Sequence, residues 1–213
     1  MIDSYKKLTL DKWQELRAID YMSMEEIDIQ VNMIAILNDM DVNEVLDLTI
    51  PEYKKLAQGT EFLTKEPVLS KRLPNKFKIN GNEYTLLKDV RDMTAGQYID
   101  YQTYLSFNDI DKYIGDILTC FIIPSGKKYG DYDLEAAKAD IMQLSVEEAL
   151  SIAGFFMKQS RSLTRATLIF LDWKMKRAMR KTKDETMKKK MEEARKAIRT
   201  LHNTIKNGDG FPQ

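Results

Sequence analysis

A chain of 213 residues with 43% hydrophobic content can bury one good core, which excludes disorder along most of its length. The single cysteine, Cys120, excludes an internal disulfide framework, and with the single histidine, His202, it is too little for a Cys/His zinc cluster. No run approaches the roughly 18 apolar residues of a membrane span, so we expect a cytosolic protein that does not enter the membrane.

The formal net charge is zero, but the charged residues are distributed unevenly. Residues 1–70 contain 7 basic and 14 acidic side chains, residues 71–157 contain 10 and 13, and residues 158–206 contain 16 and 5. Such a basic segment contacts phosphate groups, an acidic protein surface or only water. Nucleic acid is the less favoured partner, because the basic run that begins at Trp173 contains no further aromatic residue.

Four capping boxes indicate where helices begin. Each is a Ser or Thr followed three residues later by Glu or Gln, a spacing that lets the two residues satisfy each other's free backbone amides. The pairs are Ser23/Glu26, Thr49/Glu52, Thr94/Gln97 and Ser145/Glu148. Apolar residues at helical spacing follow each pair. Residues 1–66 are therefore predicted to form an acidic N-terminal helical subdomain.

A β-hairpin is predicted over about 77–87. Asn80-Gly81 lies between Phe77–Ile79 and Tyr84–Leu86, and both turn residues tolerate the positive φ angles of a two-residue turn. The hairpin leads into the helix capped at Thr94. We expect residues 77–160 to form this hairpin together with a helical core.

Two acidic pairs precede further predicted helices. Asp109/Asp111 come before a helix over 109–121, which Ile123-Pro124 should end, and Asp131/Asp133 come before a helix capped by Asp133. Carboxylates at a helix start interact favourably with the helix dipole, so capping is favoured over metal binding. The sequence predicts no catalytic, cofactor or metal site.

Other apparent site residues have simpler interpretations. A calcium loop starting at Asp39 is excluded because Glu44 stands where the turn needs glycine. We interpret Cys120 as a core thiol and His202 as a surface histidine.

The C-terminal residues predict a basic helical hairpin arm over 161–206 and a flexible tail over 207–213. The first helix carries an apolar stripe and breaks near 182–184, and the second shows the 4-3-4-3-4 spacing of a coiled-coil seam. The stripe contains Ile152, Phe155, Phe156, Leu163, Ala166, Phe170 and Trp173, and the seam contains Met187, Met191, Ala194, Ile198, Leu201 and Ile205. The predicted fold class is thus mainly α, a helical bundle with one small β-hairpin and a C-terminal coiled-coil arm.

Partner binding is predicted for the last helix and the tail. The basic run, the seam and the one apolar residue of the tail supply the candidates, which are Lys188, Lys189, Lys190, Met191, Ile198, Leu201, Ile205 and Phe211. If the chain is a homo-oligomer, the acidic N-terminal subdomain of one copy is expected to meet the basic arm of the next.

Residues 77–160 resemble lambda-type tail assembly chaperones of tailed phages. The resemblance is carried by Phe77, Asn80-Gly81, Tyr84, Leu86 and Gln97, and by a second segment over 139–150 in which the family has a proline at the position of Val146. It implies a non-enzymatic helical protein that binds the tape measure protein and tail tube subunits in the host cytoplasm during assembly. The N-terminal subdomain and the basic arm have no counterpart in the family.

A ring-forming head–tail connector subunit of the virion is the alternative function. Such portal adaptors are also small helical bundles, and their extended C-terminal arms dock on the portal, a role that the basic hairpin and the tail would suit. An enzyme that uses Asp or Glu pairs is least favoured, because the sequence contains no nucleophile, metal or cofactor constellation.

Overall fold

The protein is mainly α-helical. The computed structural model describes residues 2–107, 109–182 and 184–207. Within these residues, nine α-helices accompany one three-stranded antiparallel sheet, which confirms the predicted fold class. The chain divides into two compact units after Gly154, and each unit is described by itself. The finer division at 66 and 160 stays a prediction.

Four helices open the first unit. They are α1 (Leu10–Arg17), α2 (Glu26–Asn38), α3 (Val42–Leu46) and α4 (Ile50–Gln58), and a 3₁₀ helix (Glu61–Thr64) follows. Buried Leu8, Leu16 and Leu37 pack together in one cluster, and Val31, Ile34 and Val45 pack in another. Because α2 contributes to both clusters, it is the central helix of this part of the unit.

The caps at the starts of these helices are partly as predicted. Glu52 accepts a hydrogen bond from the Thr49 backbone amide at 3.0 Å, as the predicted box requires. The prediction at Ser23 is wrong: α2 begins after Glu25, and the Ser23 hydroxyl donates to Asp20. An additional capping box connects Asp41 with Glu44, in the segment that resembled a calcium loop.

The predicted hairpin is present, and it belongs to a larger sheet. Strands β1 (Lys76–Ile79) and β2 (Asn82–Leu86) pair antiparallel through Asn80 and Gly81, whose φ angles are +49° and +85°. A third strand, β3 (Ile122–Pro124), pairs with β2. The sequence analysis treated residues 122–124 only as the end of a helix, and this part of the prediction is wrong.

Three helices flank β3 along the chain, two before it and one after it. They are α5 (Ala95–Ser106), α6 (Ile110–Thr119) and α7 (Leu134–Ile141), and a 3₁₀ helix (Val90–Asp92) precedes them. Thr94 and Gln97 form the predicted reciprocal cap of α5, with N···O distances of 2.8 and 3.3 Å. Asp109 and Asp133 accept hydrogen bonds from the first amides of α6 and α7, which confirms that both carboxylates act as caps.

One carboxylate connects the hairpin to α7. Asp140 accepts hydrogen bonds from Asn80 Nδ2 at 2.9 Å, Asn82 Nδ2 at 2.8 Å and the Tyr84 hydroxyl at 2.6 Å. These bonds lower the pKa of Asp140, with the Tyr84 bond contributing most. Tyr84 is only 3% exposed. Through its bond to this tyrosine of β2, Asp140 holds the hairpin against α7.

The two longest helices lie at the C-terminal end. Helix α8 spans Val146–Lys181 and begins at the predicted Ser145/Glu148 box, and α9 spans Glu185–Asn207. Helix α8 ends at Lys181 and α9 begins at Glu185, in agreement with the break predicted near 182–184. The second unit consists of residues 155–213 and contains most of α8 and all of α9.

Candidate functional site

Helices α8 and α9 are joined by a half-buried ionic contact. Asp172 of α8 accepts from Arg195 Nε at 3.0 Å and from Arg199 Nε at 3.2 Å, both on α9. The hydrogen bond from Arg195 is the largest cause of the lowered pKa of Asp172. Further along, Arg165 Nε donates to His202 Nε2 at 3.4 Å. These contacts confirm a C-terminal helical hairpin within the second unit.

The predicted seam of α9 is correct at some positions and wrong at others. Met191, Ile198 and Ile205 are half-buried, whereas Met187 and Leu201 are 47% and 49% exposed. Two polar residues explain the difference. Arg195 and His202 lie on the face of α9 that packs on α8, and each contacts a side chain of α8. The seam is therefore narrower and more polar than a regular coiled-coil pattern.

The predicted partner-binding lysines lie at the start of α9. Lys188 is half-buried and pairs with Glu185 at 2.5 Å, while Lys189 and Lys190 are exposed. Phe211 lies outside the described residues. The structure brings these side chains to no common pocket within the part of α9 that it describes, so their role as partner contacts stays a prediction.

A second surface of the arm was not singled out from the sequence. Leu163, Ile169, Phe170 and Trp173 of α8, which we call the aromatic face, are large apolar side chains exposed to solvent. Phe170 is 54% and Trp173 is 52% exposed, and their ring centroids lie 6.0 Å apart. The sequence placed three of these residues in an apolar stripe, but only its N-terminal part, including Ile152 and Phe156, is buried.

Basic side chains surround the aromatic face. Lys174 Nζ lies 6.0 Å from the centre of the Phe170 ring, and Arg177 Cζ lies 5.6 Å from the centre of the Trp173 ring. Between residues 155 and 183 the sequence has nine Lys or Arg and one acid, Asp172. Asp172 pairs with α9, so none of the ion pairs among the described residues neutralises Lys174 or Arg177. The face is both apolar and cationic.

The first unit contains a groove of opposite charge. It lies between the start of α2 and the segment over 60–64, and it has a volume of about 600 Å³. We call it the acidic groove, and its lining includes Glu25, Glu26, Ile27, Ile29, Met33 and Thr64. Ile27 is 53% exposed, and an adjoining hollow of about 550 Å³ adds Glu61 and Lys54 to the lining.

Two ionisable groups elsewhere in the chain have pKa values that are raised by burial. Cys120 is fully buried, and this burial raises the pKa of its thiol to about 12. Burial raises the pKa of Tyr132 to about 12 as well. A thiol with such a pKa is a poor nucleophile at neutral pH, because only the thiolate is reactive.

No cluster of three or more His, Cys, Asp or Glu side chains in the part of the chain that the structure describes is arranged to hold a metal ion. Among the helices of that same part, none combines the length and the apolar character needed to cross a membrane. No family model matches the chain, and comparisons with curated proteins and with solved structures find no match either.

Proposed function

We propose that this chain acts by binding other proteins and catalyses no reaction. The observation that carries the proposal is the aromatic face, because the half-exposed rings of Phe170 and Trp173 lie side by side on one helix, and contiguous exposed apolar surface is typical of interaction sites. Aromatic and Arg side chains dominate the binding energy of protein interfaces. Covering the exposed halves of both rings removes on the order of 200 Å² from water, about 5 kcal/mol before the entropic costs of association.

The setting that we propose is tail assembly in a tailed phage, with the chain acting in the manner of a tail assembly chaperone. The support is the resemblance of residues 77–160, which includes the Asn80-Gly81 turn and the Thr94/Gln97 cap. The partners would be the tape measure protein and tail tube subunits, bound transiently in the host cytoplasm.

A head–tail connector subunit is the second candidate, with the portal as its partner. It is favoured by the C-terminal hairpin, because Asp172 joins α8 to α9 and the two long helices form an arm that a neighbouring subunit can bind. In this case the chain would be a permanent part of the virion.

Mass spectrometry of purified phage particles separates the two candidates. A chaperone leaves before the particle is complete and should be absent, whereas a connector should be present at about a dozen copies, as expected for a ring. Deletion of the coding sequence tests the shared proposal: particles without functional tails are expected, and normal tails would contradict it.

A further inference from the structure

We propose that the aromatic face of one copy of this chain binds the acidic groove of a second copy, forming a head-to-tail contact. The inference rests on the proposed function, because it assigns one of the protein partners. The contact joins two different surfaces, so a pair of copies retains one unused aromatic face and one unused acidic groove. Successive copies therefore close into a ring or extend as an open stack.

Complementary charge supports a second copy as the occupant. Lys174 and Arg177 flank the aromatic face, and Glu25 and Glu26 flank the groove. The same opposition holds for the whole regions: residues 1–70 have twice as many acidic as basic side chains, and residues 158–206 have 16 basic and 5 acidic. Such complementarity steers association and disfavours contacts between two arms.

The apolar parts of the two surfaces also fit each other. Phe170 and Trp173 project from a helix as exposed rings, while Ile27, Ile29 and Met33 line a concave surface. A groove of about 600 Å³ lies within the range of sites that enclose a drug-sized ligand, and two aromatic side chains are of that scale. A helix that places its apolar face in such a groove follows a common mode of recognition.

A mixing experiment with the full-length chain tests this contact. Phe170→Ala/Trp173→Ala removes the aromatic face and keeps the groove, whereas Ile27→Lys introduces a positive charge in the groove and keeps the face. By sedimentation velocity, the wild type should form species larger than one 24.8 kDa chain at low salt. Each variant alone should be monomeric, and an equimolar mixture should form a dimer of defined mass that grows no further.

Three results would overturn the inference. They are a monomeric wild type, an arm or groove variant that still assembles alone, and a mixture that stays monomeric. The replaced side chains are more than half exposed, so unchanged thermal melts are expected. A second pair, Lys174→Glu/Arg177→Glu and Glu26→Lys/Glu61→Lys, changes only charged residues. Each variant alone should be monomeric, and because the reversed charges are again complementary, their mixture should assemble beyond a dimer as the wild type does. A mixture that stays monomeric would overturn the inference.

The assembly result and the proposed function can fail separately. A wild-type chain that is monomeric and yet restores tails to a deletion phage would overturn the self-contact alone. A chain that assembles as described, but whose deletion leaves tails normal, would overturn the phage role alone. Assembly should also weaken between about 50 and 500 mM salt, because the attraction between exposed charges is screened beyond roughly 10 Å at 0.1 M salt and over shorter distances at higher salt.

Discussion

The Asp140 contact provides the sharpest test of how the first unit is held together. Asp140→Ala removes three hydrogen bonds. It also leaves the hydroxyl of Tyr84, a residue that is only 3% exposed, without its acceptor. Hydrogen bonds to a charged group contribute about 1.5–3 kcal/mol when buried, and an abandoned buried donor costs about 1–3 kcal/mol. The bonds from Asn80 and Asn82 are solvent-exposed and contribute less, so we expect a total loss of about 2–4 kcal/mol.

A double-mutant cycle isolates the contribution of the hydrogen bond between Tyr84 and Asp140. Tyr84→Phe removes the hydroxyl and its requirement for an acceptor, so Asp140→Ala should cost less in the Tyr84→Phe background than in the wild type. The expected coupling is about 1–2 kcal/mol. Urea denaturation followed by circular dichroism measures the four free energies of unfolding. Additivity within about 0.3 kcal/mol would refute the reasoning, because independent sites add to that degree.

The pH dependence gives a second readout of the same contact. The pKa of Asp140 is lowered in the folded chain, so folding favours the carboxylate form. Its stabilisation is fully present above the unfolded pKa of about 3.9 and is lost as the pH falls through the lower folded value. The difference in free energy of unfolding between wild type and Asp140→Asn should therefore be constant from pH 7 to about 5 and decrease below about 4.

Three further experiments test other parts of the fold. Ile198→Asp places a charge on the half-buried face of α9 and should destabilise the arm by about 1–3 kcal/mol in thermal melts, whereas Leu201→Asp, on the exposed side, should change it little. Cys120 should resist thiol reagents at pH 8 until the chain is unfolded in urea, and rapid labelling of the folded chain would contradict its buried position and raised pKa. Gly81→Ala should destabilise by about 1–2 kcal/mol because its φ is +85°, whereas Gly154→Ala, in a helix with no atom near the added Cβ, should stabilise by about 0.5–1 kcal/mol; equal signs by denaturant titration would refute the comparison.

Local chemistry made the hairpin and most of the helix starts predictable. The Asn80-Gly81 turn depends on the conformational freedom of two residues, and the Thr94/Gln97 box depends on a three-residue spacing, so neither needs knowledge of distant contacts. Ser23 shows the limit of this reasoning. The hydroxyl and the backbone amide of Ser23 both donate to Asp20, so this residue belongs to a turn and α2 begins three residues later.

The features that the sequence analysis missed depend on tertiary contacts. Residues 122–124 are too few to show strand periodicity, and they become a strand because β2 offers a free edge. The face that α8 presents to α9 was not predicted either. Asp172 lies on that face because two arginines of α9 neutralise it, and the stronger apolar pattern at Phe170 and Trp173 remained exposed.

The interaction surface that we propose lies on α8, whereas the partner-binding residues predicted from the sequence lie on α9 and stay a prediction. Lys189 and Lys190 stand out in the sequence as a basic run, but the exposed rings on α8 are what distinguish this arm from a solvated charged helix. A helical periodicity identifies an apolar stripe without showing whether another element covers it. The acidic groove was equally hidden, because α2 and the segment over 60–64 meet only in the folded unit.

The most direct test of the central claim, that the chain acts through its aromatic face, is complementation of a phage that lacks the coding sequence. The fraction of tailed particles is counted by negative-stain electron microscopy after supply of wild type, Phe170→Ala/Trp173→Ala or Ile99→Ala. Ile99 is the matched control, because it is a 62% exposed apolar residue in the first unit. The account predicts that wild type and Ile99→Ala restore tails and that the double variant, present at equal amounts, does not. Full restoration by the double variant would contradict the account.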